Sequence, residues 1–307
     1  MSVTETKAAV AAGPAGPAGP SPARPGAGRR RRWLGRLLDV ARTPSLLVSY
    51  VWLVLIVTAA LAPTLFASGD PLAQNGDAML LPPGPEHFFG TDDLGRDQFT
   101  RTVHGTRLSL QAAVIAVLIG LVSGSLLGLV AGAVRGWLDS VLMRVVDVML
   151  AVPSLIVSLA IISALGHGTL NIAVAIGINS TATFARLMRS EVLKVAGARY
   201  VEASVFAGHG YAYRLLRHVV PNATRSVLAY ATMEIGSAIL TVASLSFLGL
   251  GAPPPTPEWG LLVAEGRTFI AAQWWLSLLP GLVIVVSVLA VYRIGRSIDR
   301  GRTRVVA

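Results

Sequence analysis

The sequence of 307 residues contains no cysteine, and only 14% of its residues are charged. The absence of cysteine excludes disulfide bonds, thiolate metal sites and a cysteine nucleophile. A soluble domain usually carries about 25% charged residues, whereas 53% of this chain is hydrophobic. The composition therefore excludes a disordered, fibrous or disulfide-stapled protein, and it indicates an integral membrane protein.

The sequence also lacks several motifs that would carry chemistry. It has no Gly-Lys dipeptide, which excludes a phosphate-binding P-loop. His209 and His218 do not have the spacing of a metal site, and the acidic segment 90–97 lacks the register of a calcium loop. We interpret that segment as an outer capping or interface segment. We expect no catalytic residue, no metal and no cofactor in this chain, and the basic residues do not form a nucleic-acid motif.

Long apolar runs, charge-free except for one acid in the fifth, predict an all-α membrane protein with six spans. A hydrocarbon core about 30 Å thick needs roughly 20 apolar helical residues. The run 148–184 is too long for one helix, and we divide it at Gly166-His167-Gly168. The predicted spans cover residues 46–67, 108–134, 148–166, 169–185, 226–250 and 269–292.

The two ends of the chain differ from this transmembrane domain, which we place at residues 43–300. Residues 1–28 are rich in Ala, Gly and Pro and are followed by Arg29–Arg32. We therefore predict a disordered basic cytoplasmic segment at residues 1–42, with its arginines near anionic lipid. A twin-arginine signal is the alternative, but the apolar run is too long and five more spans follow. Residues 301–307 are predicted as a cytoplasmic tail.

The basic residues predict the orientation. With both termini in the cytoplasm, 22 of the 26 Lys and Arg residues lie on the cytoplasmic side. Cytoplasmic loops carry such an excess of basic residues. We therefore expect a multi-pass protein of a bacterial inner membrane with both termini inside. Arg144 and Asp147 lie at helical spacing, which predicts a local ion pair at the membrane surface.

Four glycines at intervals of four residues lie on one face of the second predicted span. Small residues at such spacing allow another helix backbone to approach closely within a membrane. We predict a packing face for a helix of this chain or of a partner chain. The face consists of Gly120, Gly124, Gly128 and Gly132.

The fifth predicted span contains an acid, Glu234, on the same helical face as three hydroxyl residues. These are Ser237, Thr241 and Ser244. A carboxyl group inside a membrane costs at least a few kcal/mol unless it faces protein or water. Two interpretations remain open: the face lines a solute pathway, or Glu234 forms a structural hydrogen bond with a neighbouring helix.

The polar, basic segment 186–225 is too long for a simple connector. Residues 200–207 predict a short helix that ends at Gly208 and Gly210, and a second stretch follows at residues 211–220 before Pro221. A short helix with small residues on one side suits docking into a groove of another protein. A helix lying on the lipid surface is the alternative.

This segment also carries a specific sequence motif. The family pattern is Glu-Ala-Ala, three residues, Gly, nine residues, Ile, one residue and Leu-Pro. The matching residues are Glu202, Ala203, Ser204, Gly208, His218, Val220 and Pro221. The spacing is kept throughout, with Ser, His and Val replacing the second Ala, the Ile and the Leu. The segment resembles the coupling loop of ABC-importer permeases.

Two other segments resemble one branch of this family in particular. Residues 90–110 and the stretch from Leu245 to Gly260 are similar to the second permease subunit of dipeptide, oligopeptide and nickel importers. The likeness covers roughly residues 45–300. Many relatives carry an acid where this chain has Val242, so no family role of that acid is carried over to Glu234.

The resemblance implies a type I ABC-importer permease fold and half of a pore for di- or oligopeptides. The implied partners are a second permease chain, one or two ATPase subunits that bind ATP and Mg, an extracytoplasmic solute-binding protein and the bilayer. Import of nickel or another small solute is the alternative within the family. A secondary transporter that needs no ATP and a non-transporting membrane scaffold are alternatives of other classes.

Overall fold

The computed structural model describes residues 44–306, and it describes side chains for residues 44–297. The predicted N-terminal segment 1–42 lies outside the described residues. The described part is helical apart from loops and one isolated bridge between Thr91 and Asp97, which confirms the all-α class. Its α-helices are α1 Pro44–Leu61, α2 Gln98–Val134, α3 Gly136–Ala151, α4 Ser154–Leu165, α5 Thr169–Ala196, α6 Arg199–Phe206, α7 Tyr211–Arg214, α8 Val220–Phe247, α9 Trp259–Gly266 and α10 Trp275–Val306.

Four helical segments of the described part are long and apolar enough to be candidate membrane spans. They are Pro44–Leu61, Gln98–Val134, Tyr211–Phe247 and Trp275–Ser297. The bent pair of α3 and α4 is a fifth candidate. Helix α5 has 28 residues, more than the roughly 20 that a span needs, but it is more polar than the other candidates. The count of six spans therefore stays a prediction, with α5 as the sixth.

The structure corrects the predicted third span, because residues 148–166 do not form one helix. Helices α3 and α4 meet at an angle of 92°, and Val152 between them has an extended backbone, with φ −89° and ψ 132°. Pro153 causes this break, since proline lacks an N–H donor and disfavours helical geometry at the preceding residue. A second break follows at Gly166, where φ is 90°.

Other helices extend beyond their predicted spans. Helix α5 continues to Ala196 rather than ending at residue 185, and α8 begins at Val220, inside the predicted loop. Pro221 lies in the first turn of α8, where the missing N–H costs no helical bond. The backbone of the predicted tail also stays helical up to Val306.

The core forms where α2, α5, α8 and α10 pack against one another. Helices α2 and α5 form the most extensive contact between elements of the described part. Phe184 and Met188 of α5 join Ile239 of α8, Val291 of α10 and Trp259 of α9 in one buried cluster. Helix α5 therefore lies at the centre of the fold, with α8 on one side of it.

The four glycines predicted as a packing face lie in the contact between α2 and α5. All four are buried, and each faces α5 so closely that a Cβ atom would collide with it. A Cβ at Gly124 would lie 2.5 Å from the Thr181 carbonyl oxygen, and one at Gly128 would lie 2.2 Å from that of Ala185. Within the described residues, the helix that uses this face therefore belongs to the same chain.

A buried polar cluster joins the segment before α2 to the α9 region. The Arg101 side chain is fully buried and donates hydrogen bonds of 2.7 Å to Asp92 and 2.9 Å to Glu265. The side chain of Asp97 accepts a bond from the Thr100 N–H and caps α2. The predicted capping or interface segment 90–97 thus contributes a helix cap and an acceptor for a buried cation.

Candidate functional site

The segment with the coupling-loop motif presents a short exposed helix, α6. Glu202 and Ala203 are exposed, Ser204 is buried, and the Phe206 side chain is 92% exposed. Gly208 follows with a φ of +78°, a conformation that glycine adopts without steric cost. This glycine ends α6, and the large apolar Phe206 side chain before it is exposed.

Aromatic contacts connect α6 with the start of α8. The His209 ring stacks on Tyr213 at 4.4 Å, and His218 contacts both Tyr213 and Tyr200 edge-on at 5.8 Å and 6.3 Å. A π-helical turn at Leu215–Val219 leads directly into α8. The chain therefore runs from α6 through this aromatic cluster into a long helix that is a candidate membrane span.

Glu234 lies on α8 and is partly buried against α5. Its two carboxyl oxygens accept hydrogen bonds of 3.1 Å from the hydroxyl groups of Ser180 and Tyr230. The Tyr230 ring packs edge-on against Phe184 at 5.4 Å. The bond from Ser180 joins two helices, as the structural interpretation of Glu234 requires, and the pathway interpretation stays a prediction.

The other hydroxyl residues of that face do not bond to a neighbouring helix. Thr241 and Ser244 each donate to a carbonyl oxygen one turn earlier in α8, at 3.0 Å and 2.8 Å. Ser237 and Ser244 are exposed. The structure therefore brings Glu234 to α5 and leaves the outer half of this polar face open.

The structure also shows a groove that the sequence did not indicate. Its cavity of about 420 Å³ lies between α3, α5 and α8 and is lined by Leu150, Thr183, Arg186, Leu187, Ser190 and Tyr230. Arg186 donates a hydrogen bond of 2.6 Å to Asp147, so the ion pair predicted between Arg144 and Asp147 is wrong. The spacing of Thr183, Leu187 and Ser190 was the available signal, because these residues share one helical face.

A second contact fixes α3 against the C-terminal half of α5. The Arg189 guanidinium donates two hydrogen bonds to the Asp139 carboxyl, at 2.5 Å and 2.7 Å. Such bidentate pairs combine charge with a fixed geometry. They hold the first half of the bent α3–α4 pair beside the groove.

Comparison with known proteins relates these features to a family. Residues 124–304 match the family described as binding-protein-dependent transport system inner membrane component. The chain is 42% identical over 251 residues to the di/tripeptide transport system permease protein DppC of Pseudomonas aeruginosa (strain UCBPP-PA14), covering 80% of this chain and 83% of that protein. It is 37% identical over 245 residues to the probable D,D-dipeptide transport system permease protein DdpC of Escherichia coli (strain K12), covering 80% and 82%.

A third relative is the glutathione transport system permease protein GsiD of Escherichia coli O6:K15:H31 (strain 536 / UPEC). It is 42% identical over 213 residues, which cover 69% of this chain and 70% of the relative. Together with the family match, these relatives confirm the resemblance to permeases that the coupling-loop motif carries. They describe transport permeases of the inner membrane rather than enzymes.

Two solved structures share the fold. A chain of an amino acid ABC transporter crystallised with histidines aligns with a TM-score of 0.56 and 17% identity, covering 66% of this chain and 94% of that one. A chain of the MetNI methionine ABC transporter aligns with a TM-score of 0.52 and 17% identity, covering 64% and 96%. The predicted ABC-permease fold is confirmed. The chain belongs to the family of binding-protein-dependent transport system inner membrane components, in the branch of dipeptide and oligopeptide ABC permeases.

Proposed function

We propose that the chain forms half of the translocation pore of an ATP-dependent importer for di- or oligopeptides. The observation that carries this proposal is the continuity between the exposed helix α6 and α8, the helix that carries Glu234. The relatives are named for transport of di/tripeptides, D,D-dipeptides and glutathione. Those names favour a peptide over nickel or another small solute.

A cytoplasmic ATPase is the proposed partner of α6. The Phe206 side chain is 92% exposed, and an apolar side chain of this size gains free energy when a partner removes it from water. One or two ATPase subunits bind ATP and Mg and cover this helix. A second permease chain completes the pore, and a solute-binding protein delivers the peptide outside.

The proposed mechanism is alternating access. Binding of ATP closes the ATPase pair, the pair displaces α6, and the π-helical turn passes this displacement to α8. The helices then reorient around the pathway beside Glu234. Docking shifts this equilibrium only because the ATPase binds the two conformations with different affinity. The cytoplasmic location of both termini is part of this proposal.

The test is transport by the complete complex in proteoliposomes. The chain is reconstituted with its second permease and ATPase subunits, and radiolabelled dialanine is supplied on the solute-binding protein. We expect uptake only when ATP is supplied on the side of the membrane that the ATPase subunits face. Uptake driven by an ion gradient without ATP would indicate a secondary transporter, and uptake of nickel in place of dialanine would indicate the alternative solute. Absence of any transport would favour a scaffold.

A further inference from the structure

One face of α5 connects Glu234 with the groove between α3, α5 and α8. Ser180, Thr183, Leu187 and Ser190 follow one another at intervals of three, four and three residues and so share a helical face. Ser180 donates to Glu234, and the other three residues line the groove. Tyr230 of α8 is a second link between the two, because it lines the groove and its hydroxyl group donates a hydrogen bond to Glu234.

The Glu234 end of this face is acidic. Both hydrogen-bond donors to its carboxyl group are neutral hydroxyls, so neither of them compensates the charge of a carboxylate. A carboxylate within a membrane protein is stabilised when it faces an opposite charge or water. An ammonium group in the pathway would supply that charge.

Arg186 lines the groove beside this face and makes that side of the groove basic and accessible. The Arg186 and Asp147 side chains are 57% and 55% exposed, although their atoms are 2.6 Å apart. An exposed ion pair contributes only about 0–1 kcal/mol, so a competing carboxylate can replace Asp147 at little cost. The guanidinium carries five N–H donors, of which the bond to Asp147 uses one.

The separation of the two ends matches a short peptide. Ser180, which contacts Glu234, and Arg186 are six positions apart along α5, and at 1.5 Å per residue this offset is about 9 Å along the helix axis. An extended chain of two or three residues spans about 7–11 Å. An extended di- or tripeptide is therefore about as long as the axial offset between Ser180, which contacts Glu234, and Arg186.

We propose that this groove binds a passing di- or tripeptide by its two charged termini, with Glu234 taking the ammonium group and Arg186 the carboxylate. The inference rests on the proposed function and adds to it the residues that recognise the solute inside the pore. Thr183, Ser190 and Tyr230 supply hydroxyl groups along the groove for the peptide backbone between the termini. A lipid chain in the groove would leave the Glu234 carboxylate without an opposite charge, because only neutral hydroxyl groups contact it.

The test compares two variants that break the same ion pair. Arg186→Gln removes the guanidinium, whereas Asp147→Asn removes only its partner and leaves Arg186 free for the solute. Lys194→Gln removes a charge at the end of the same helix, outside the groove, where the lysine is 76% exposed. All complexes are reconstituted with the same solute-binding protein loaded with radiolabelled dialanine, so recognition outside the membrane is constant.

We expect Arg186→Gln to slow dialanine uptake at least about tenfold. This factor corresponds to the free energy of one lost hydrogen bond between the guanidinium and the charged carboxylate of the peptide. Asp147→Asn and Lys194→Gln should keep uptake within about twofold of the parent. Glu234→Gln should also slow uptake at least about tenfold, while ATP hydrolysis stimulated by the binding protein persists in every variant.

Two results would overturn the site while leaving the proposed function intact. In one, Arg186→Gln and Asp147→Asn slow uptake equally, which would make the ion pair structural. In the other, Arg186→Gln and Glu234→Gln transport dialanine at the parental rate. Failure of the parent complex to transport dialanine with ATP would instead contradict the proposed function. If Arg186→Gln does not assemble, Arg186→Lys keeps the charge and must retain most of the uptake.

Discussion

Ser109 of α2 donates a hydrogen bond of 3.0 Å to the carboxyl group of Glu258, the residue that caps α9. The other carboxyl oxygen accepts a bond of 3.0 Å from the Leu261 N–H. Glu258 is fully buried, and this burial raises its pKa, while the bonds from the Gly260 and Leu261 N–H groups and from Ser109 oppose that rise. One carboxyl group therefore connects two helices on the predicted outer side.

The raised pKa of Glu258 predicts a specific dependence of stability on pH. The folded protein binds this proton up to a higher pH than the unfolded chain does, so the free energy of unfolding decreases as pH rises from the unfolded pKa through the folded pKa. Glu258→Gln removes this contribution. As pH is raised from about 4 to about 8, we expect the melting temperature of the parent complex to fall relative to that of the Glu258→Gln complex.

Thermal unfolding of the detergent-solubilised complex measures this difference. Glu86→Gln is the matched control, because Glu86 is an exposed carboxyl of the same outer region. Its melting curve should follow that of the parent at every pH. If the Glu258→Gln curve also ran parallel to the parent, the buried carboxyl would not contribute to the pH dependence.

We expect replacement of Arg101 to destabilise the protein more than replacement of Glu258, the cap of α9. Its guanidinium is fully buried between Asp92 and Glu265, and removing one partner of a buried ion pair typically costs about 3–5 kcal/mol. Arg101→Gln should therefore lower the melting temperature or the yield of the complex strongly. Arg107→Gln, an exposed position on the same helix, should change neither. Equal behaviour of the two variants would show that the buried cluster is not needed for stability.

Hydropathy predicted those parts of the fold in which a helix is apolar along most of its length. Helices α1, α2, α8 and α10 contain long apolar runs with at most one charged residue, and these segments satisfy the length and composition of a span. The motif from Glu202 to Pro221 predicted the coupling segment because its spacing is specific. It did not show that α8 begins at Val220, since a proline in the first turn is compatible with a helix.

Hydropathy could not predict features that depend on the bend between α3 and α4. Pro153 lies within an apolar run, so the mean hydropathy of a window that includes it stays high and does not reveal the break. The bend directs α3 along α5, and Asp147 then meets Arg186 on another helix instead of Arg144 on its own. The groove has the same origin, because Leu150, Thr183 and Tyr230 come from three helices that local spacing cannot bring together.

The contact between α2 and α5 predicts that Gly128 does not tolerate even a methyl group. A Cβ there would lie 2.2 Å from the Ala185 carbonyl oxygen and 2.9 Å from the Arg189 nitrogen, and these backbone atoms cannot move without shifting α5. Gly128→Ala should destabilise the protein by about 1–3 kcal/mol. Gly281→Ala in α10 is the control, since no atom lies within 4 Å of its added carbon. Thermal unfolding of the two complexes should separate them, and equal melting temperatures would contradict the close packing.

The exposed apolar side chain of α6 predicts the strength of ATPase docking. Burial of a phenylalanine contributes about 1.5–3 kcal/mol, so Phe206→Ala should weaken the affinity of the permease pair for its ATPase about 10- to 100-fold. Gly208→Val should act similarly, because valine is strained at a φ of +78° and would displace the end of α6. Phe88→Ala is the control, as Phe88 is 67% exposed in the predicted outer region. Binding of purified ATPase to permeases in nanodiscs gives the affinity, and ATP-dependent uptake gives the coupling. Parental affinity and uptake in Phe206→Ala would place the ATPase contact elsewhere in the segment 186–225.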